Sequence, residues 1–408
     1  MDHVRNPYTP NAGAEPPALA GRQGELDTFS TLLKRLEKGR TEQTMIITGL
    51  RGVGKTVLLG RFRDEAERAG WHVVEIEATK SNDQDFRALL GMRLRSALLD
   101  ISPRAHWNEI FARAASVLSS FTLTLNPEGS WTLGTTQIEP LEGKADSSIL
   151  AYDLVDVFVE VAKAARDRKT GIALLIDEVQ FLSKGQLEAL ISALHKITQL
   201  KLPLTMVGAG LPQVAELTGD AKSYSERLFR FPVIGNLSRE DAEVALIEPA
   251  REEGELFEVD AVDRVFEVTE GYPYFIQELG SAIWDSARLS PFTREDVEVA
   301  LITYQDKLDS SFFRVRFDRA TELQRAYMRA MAELGPEPQK AADVAHVLGR
   351  ESTQVAPTRA ELISMGLLYT PEFGYAAFTV PQFDRFMVRA MPELQVPPVR
   401  GSRRGRRR

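Results

Sequence analysis

Cysteine is absent from this 408-residue chain, which excludes disulfides and cysteine-ligated zinc sites. Histidine is scarce as well. The five present, His3, His72, His106, His195 and His346, are too scattered to suggest a metal cluster. No apolar run reaches eighteen residues, so no membrane span is expected, and Met1-Asp2-His3-Val4-Arg5-Asn6-Pro7 lacks the apolar stretch of a secretory signal. These absences predict a cytoplasmic protein with no membrane partner. Net positive charge is missing too, the formal value of -8 giving no overall basic footprint for nucleic acid. The exception is residues 399–408, which hold six arginines, Arg403 and Arg404 among them, and no acid. Such a basic, apolar-poor tail is expected to be disordered; it reads as a solvated end or as an electrostatic handle for nucleic acid or an acidic partner. What remains is ample, since 43% hydrophobic residues provide the cores of two or three domains.

The most informative stretch is Gly49-Leu50-Arg51-Gly52-Val53-Gly54-Lys55-Thr56, directly after the apolar run Met45-Ile46-Ile47-Thr48. Glycine, four residues and then Gly-Lys-Thr let backbone N–H groups curl around phosphate oxygens, because glycines accept positive φ and carry no Cβ into the ligand's path. In that reading Lys55 reaches the β- and γ-phosphates and the Thr56 hydroxyl ligates Mg²⁺. The context agrees: an apolar strand precedes the loop, and residues 56–68 carry Val57, Leu58, Leu59 and Phe62 at helical spacing, so a helix N-terminus faces the anion. A glycine-rich turn without ligand is the plainer alternative.

A second carrier of chemistry is Gly171-Ile172-Ala173-Leu174-Leu175-Ile176-Asp177-Glu178-Val179-Gln180. Five apolar residues without alternation indicate a strand covered on both faces, as in a parallel sheet. At its carboxyl end, Asp177 is placed to hold the Mg²⁺ shell and Glu178 to orient and polarise an attacking water. Two solvated acids are the alternative. Residues 71–78 and 204–210 read as further strands and residues 83–99 and 185–200 as helices. Between 121 and 138, Phe121-Thr122-Leu123-Thr124-Leu125 alternates ahead of Asn126-Pro127-Glu128-Gly129, predicting an inserted β-hairpin, either a partner contact or a surface insertion.

Ahead of the loop, Gly21-Arg22-Gln23-Gly24-Glu25-Leu26 looks like the adenine-side box of AAA-type ATPases of the origin-recognition-like and signal-transduction groups. That resemblance covers most of the chain. It implies an α/β fold: a P-loop NTPase three-layer core with a parallel sheet, a helical lid and a C-terminal winged helix-turn-helix. The expected divisions are an irregular arm over 1–16, the ATP-binding core over 17–236, the lid over 237–310, the winged helix over 311–398 and the tail. The resemblance also implies ATP and Mg²⁺ as ligands, Gly21 and Arg22 near the base, and Pro273 of Gly271-Tyr272-Pro273 beside adenine, where the bland reading is a proline opening a helix. Arg227, with Arg230 as second candidate, is in the region where such ATPases reach a neighbouring subunit's γ-phosphate; surface ion pairing is the other reading. The chain departs from the family at the end of the strand 204–210, where Gly208-Ala209-Gly210 replaces a polar sensor. Thr205 and Gln213 are the fallback side chains.

The winged-helix expectation rests on three helices followed by two β-like pieces around Pro371-Glu372-Phe373-Gly374. Its third helix is expected to expose Gln354, Thr358 and Arg359 for base contacts. Residues 321–398 nonetheless carry seven Lys or Arg against nine Asp or Glu, a poor footprint for DNA. Three functions follow as expectations: a DNA-associated ATPase that repositions its winged helix, a protein-binding or self-associating switch in signalling or defence, and a nucleotide-stabilised scaffold without catalysis.

Overall fold

The computed structural model describes residues 1–11, 13–103, 106, 108–123, 132–133 and 136–398. They form two compact units: Pro7–Gly254 with Val268–Gln277, and Met1–Asn6 with Glu255–Glu267 and the described residues from Glu278 onward.

The larger unit contains α1 (Gln23–Glu37), β1 (Thr44–Thr48), α2 (Lys55–Arg68), β2 (His72–Glu77), α3 (Asp83–Ile101), α4 (Glu109–Leu123), β3 (Thr132–Leu133), β4 (Thr136–Gln137), α5 (Leu150–Asp167) and β5 (Ile172–Asp177). It continues through α6 (Lys184–Leu200), β6 (Leu204–Gly210), α7 (Val214–Ala221), α8 (Ser225–Leu228), β7 (Phe229–Arg230) and α9 (Arg239–Glu252). Five strands make one parallel sheet in the order β2-β5-β6-β1-β7. Residues of β1 and β6 are buried throughout, and β5 is buried up to Asp177. That is the unbroken apolar pattern of a sheet covered on both faces. The register sets Ile46 and Ile176 both opposite Gly208, so Thr48, Gly210 and Asp177 end together at the carboxyl edge. Ligands of open parallel sheets bind at that edge.

Helix α6 begins with a capping box between Ser183 and Gln186, worth about 1 kcal/mol. Within the core, Arg87 of α3 and Asp153 of α5 form a buried ion pair at 2.7 Å, and Ser147 donates to the same carboxylate at 2.6 Å. Removing one partner alone would strand a buried charge. The hairpin expected over 121–138 is corrected in part: Phe121, Thr122 and Leu123 end helix α4. Phe111, Ala114, Leu118 and Phe121 are all buried, at the spacing of one helical face, and that burial overrides the short alternation in the sequence. A two-residue antiparallel ladder joins β3 to β4, and residues 124–131 lie outside the described residues.

Helices α10 (Val259–Thr269) and α11 (Pro273–Ser286) carry residues of both units. The smaller unit then adds α12 (Arg294–Lys307), α13 (Arg314–Asp318), α14 (Glu322–Leu334), β8 (Gln339–Lys340), α15 (Ala341–Val347), α16 (Ser352–Ser364), β9 (Leu368–Tyr369), β10 (Tyr375–Phe378) and α17 (Phe383–Ala390). Its sheet is antiparallel in the order β8-β10-β9. Strand β8 and helix α17 are additions to the elements read from sequence. Phe313, Phe317, Phe383 and Phe386 stack into an aromatic core, with Phe383, Phe386 and Met387 forming the buried stripe of α17. The first residues are tied down in this unit, Trp284 Nε1 donating to the Asp2 carbonyl at 2.9 Å.

Candidate nucleotide-binding site

The loop between β1 and α2 is shaped by its glycines. Gly52 and Gly54 hold φ of 83° and 93°, in the left-handed region that other residues enter only at a cost. A Cβ on Gly49 would lie 2.3 Å from the Ile234 carbonyl oxygen, so the chain passes there only because none exists. Lys55, the first residue of α2, is 8% exposed, and its Nζ donates to the Gly49 and Leu50 carbonyls at 3.0 and 2.7 Å. Burial pushes its pKa down to about 8, partly opposed by the carboxylates of Glu178 and Asp177. The result is a helix N-terminus, a buried ammonium group and a left-handed loop converging on one point, as an anion site requires.

Two acids at the end of β5 meet this loop. Thr56 Oγ1 donates to Asp177 Oδ2 at 2.6 Å, and Asp177 Oδ1 accepts the Glu178 N–H at 2.7 Å. The Thr56 hydroxyl and Asp177 carboxylate together form a hard oxygen donor set that fits Mg²⁺. Glu178 is held in the left-handed region at φ 54°. One of its oxygens is 3.5 Å from Arg51 Nη1, and the other accepts from Gln180 Nε2.

Around this centre, Arg22 is buried and its Nη2 donates to the carbonyls of Val53 at 3.2 Å and Gly235 at 2.6 Å. Burial lowers its pKa, with Glu25 and Asp241 opposing. It therefore braces the loop from behind, while Gly21, at φ 67°, makes room for the Asp241 carboxylate. Pro273 opens α11, and the Tyr274 N–H donates to the Gly52 carbonyl at 3.3 Å. The neighbouring Tyr272 packs so closely that a Cβ on Gly52 would come within 3.0 Å of its hydroxyl. Sequence reasoning assigned no role to the arm over 1–16. Its Tyr8 is nonetheless buried with the hydroxyl donating to the Leu246 carbonyl at 2.6 Å, Thr9 N–H donates to Gln277 at 3.1 Å, and Glu15 pairs with Arg61 of α2. A Cβ on Gly13 would lie 3.8 Å from Thr56 Cγ2, so the arm passes beside the phosphate loop. The signal the sequence offered was an aromatic side chain, Tyr8, set between Pro7 and Pro10 in the arm.

Other candidates are placed elsewhere. Thr205 is buried at the amino end of β6, its hydroxyl bonded to Thr44 at 3.1 Å, which removes it as a sensor. Gln213 precedes α7, and its buried Oε1 has no partner among the described residues. Arg227 is exposed in α8, and Arg230 pairs with Glu42 at 2.8 Å. Phe229 pairs with Thr44, so both arginines stand at the amino end of β1, about 13 Å of strand from their own loop. They are not brought to this site. On α16, Gln354 is exposed as expected, and the expected exposure of the other two is corrected: Thr358 is buried, and Arg359 is half-buried, donating to the Tyr375 carbonyl at 2.5 Å and Thr370 Oγ1 at 3.2 Å. The helix packs against the following strands, which buries Thr358 and spends the Arg359 guanidinium on the Tyr375 carbonyl and the Thr370 hydroxyl. Arg403 and Arg404 lie outside the described residues.

Residues 18–207, which contain the loop and both acids, match the AAA ATPase domain family, and the parallel sheet they build is the α/β core of a P-loop NTPase. Residues 310–387 match a domain of unknown function, DUF8462. No functionally curated protein matches the sequence. The fold is similar to that of the Walker-type ATPase Paby2304 of Pyrococcus abyssi, with a TM-score of 0.58 and 16% identity over 91% of this chain and 97% of that one. More distant similarity reaches the Aeropyrum pernix Orc1 protein, solved in complex with DNA, with a TM-score of 0.44 and 14% identity over 94% and 96%. It also reaches the Thermotoga maritima RuvB Holliday junction branch migration motor, at 0.45 and 16% over 89% and 95%.

Proposed function

We propose that the protein binds Mg-ATP on the β1–α2 loop and hydrolyses it, using nucleotide state as a switch. The observation that carries this reading is the 2.6 Å contact between Thr56 and Asp177, which joins the loop and the acidic strand end. Residues Gly49 to Gly54 cradle the phosphates, Lys55 neutralises the β- and γ-phosphate oxygens, and Thr56 and Asp177 hold the metal shell. When bound, Mg²⁺ supplies charge neutralisation to the phosphates. Glu178 orients the attacking water and draws on its proton. Arg22 and Pro273 shape the base side, and Arg227 is the residue that a neighbouring copy would present in trans.

Calorimetry with Mg-ATP and a phosphate-release assay test this directly. Lys55→Ala should weaken Mg-ATP by at least about 100-fold, the loss of a charge-assisted contact in a buried site. Glu178→Gln should retain binding and abolish release. Binding with no phosphate release above background in the wild type and in Glu178→Gln alike would leave the scaffold reading standing instead.

For the C-terminal module we read the winged-helix order as a protein-contact domain. The exposed residues of α16 are Ser352, Thr353, Gln354, Ala356, Pro357, Ala360, Glu361 and Ser364, a neutral to acidic set without a lysine or arginine. A helix entering a major groove needs the opposite balance. Nucleotide-dependent repositioning of this module would appear as an ATP-dependent change in scattering profile or oligomer mass, and identical profiles with ATP and ADP would reject it.

A further inference from the structure

We infer that Gln180 is a positioning residue for ATP hydrolysis: its side-chain amide ties the Glu178 carboxylate to the end of β6. The inference rests on the reading of Glu178 as the water-orienting group. Gln180 Nε2 donates to Glu178 Oε2, while Gln180 Oε1 accepts the Leu211 N–H at 3.0 Å. The chemistry fixes the amide's orientation. A backbone N–H requires an acceptor and a carboxylate requires a donor, and a primary amide presents both at one carbon. Glutamate would set two carboxylates against each other, and leucine would satisfy neither neighbour.

Two glycines of β6 make sense in this light. A Cβ on Gly210 would stand 2.7 Å from Gln180 Oε1, and one on Gly208 would stand 2.9 Å from Val179 Cγ2. Glycine weakens a strand interior and marks a place where another chain approaches closely. Here the approaching group is the segment from Val179 to Gln180, so the polar function missing from Gly208-Ala209-Gly210 is delivered from the turn that follows β5. Glu178 also has a competing partner, since Arg51 of the loop lies 3.5 Å from its other oxygen. Without the amide, the guanidinium is the stronger remaining attraction and draws the carboxylate toward the loop. The left-handed backbone of Glu178, kept by its N–H bond to Asp177 and by the Phe181 N–H on its carbonyl at 2.9 Å, leaves the side chain as the part free to pivot.

Gln180→Leu and Gln180→Glu test the assignment in the full chain. Both should lower kcat by about 100-fold, the cost of misplacing a catalytic group by about 1 Å, with Mg-ATP Kd within about twofold of wild type. A crystal structure of either variant should show the Glu178 carboxylate turned toward Arg51. Unchanged kcat overturns the inference, as does a parallel loss of Kd, kcat and thermal stability, which is the signature of a packing role. If Gln180→Leu fails to fold, Gln180→Glu, of equal size, decides. If the wild type releases no phosphate, the hydrolysis reading falls by itself; the variant structure still decides the positioning role, and an unmoved Glu178 carboxylate overturns it.

Discussion

At Lys55 one side chain links nucleotide binding to pH. Its folded value, near 8, lies below the ordinary lysine value of 10.5, so the folded chain holds this proton less tightly than the unfolded chain does. The linked stability is therefore full above about pH 10.5 and is lost as pH falls through about 8, an effect of about 3 kcal/mol. Chemical denaturation of Lys55→Met across that interval should show a flatter pH dependence than wild type. Triphosphate reverses the balance, because its charge favours the ammonium form. Mg-ATP binding near pH 8 to 9 should take up a fraction of a proton, seen in calorimetry as a dependence of the heat on buffer ionisation enthalpy. Binding without proton uptake would mean that Lys55 is not the group facing the phosphates. The lysine itself was legible from the Gly-Lys-Thr spacing. Its burial was not, since that depends on Gly49 and Leu50 folding back over it.

Elements set how much each loop glycine matters. Gly52 and Gly54 both have positive φ, but only Gly52 lies under α11, with Tyr272 and Tyr274 within 3.2 Å of a built Cβ; Gly54 has nothing within 4 Å. Gly54→Ala should cost the backbone term alone, about 1–2 kcal/mol, and Gly52→Ala should cost more because the start of α11 must also move. Thermal melting of the two variants without nucleotide checks the order, and equal shifts would deny the contact of the Gly271-Tyr272-Pro273-Tyr274 segment with the loop. Most strands were readable because buried parallel strands are unbroken apolar runs, as at Ile172–Asp177. Helix α4 was misread near its end, where a few alternating residues mimic a strand and only the burial of Phe121 beside Leu118 and Phe111 reveals the period. Strand β8 is only Gln339 and Lys340, two polar residues in which no apolar pattern registers.

On the scale of the whole molecule, charge rather than shape separates the candidate partners. Any affinity for duplex DNA should reside in residues 399–408: it should fall steeply between about 50 and 200 mM salt, vanish when those residues are removed, and survive Arg359→Ala. Loss with Arg359→Ala alone, in a chain of unchanged melting temperature, would restore α16 as a DNA reader.

From the sequence alone came the phosphate loop, the acidic strand end and the parallel core, because each depends on neighbours a few residues away and leaves a local pattern of glycine, charge or apolar run. Only the folded chain decided that Gln180 fills the space left by Gly210, that Arg359 is spent on β10, and that the arm at Gly13 passes beside Thr56. Those outcomes depend on atoms brought together across long stretches of chain, where close packing and the satisfaction of buried polar groups choose the partners and no local pattern records the choice.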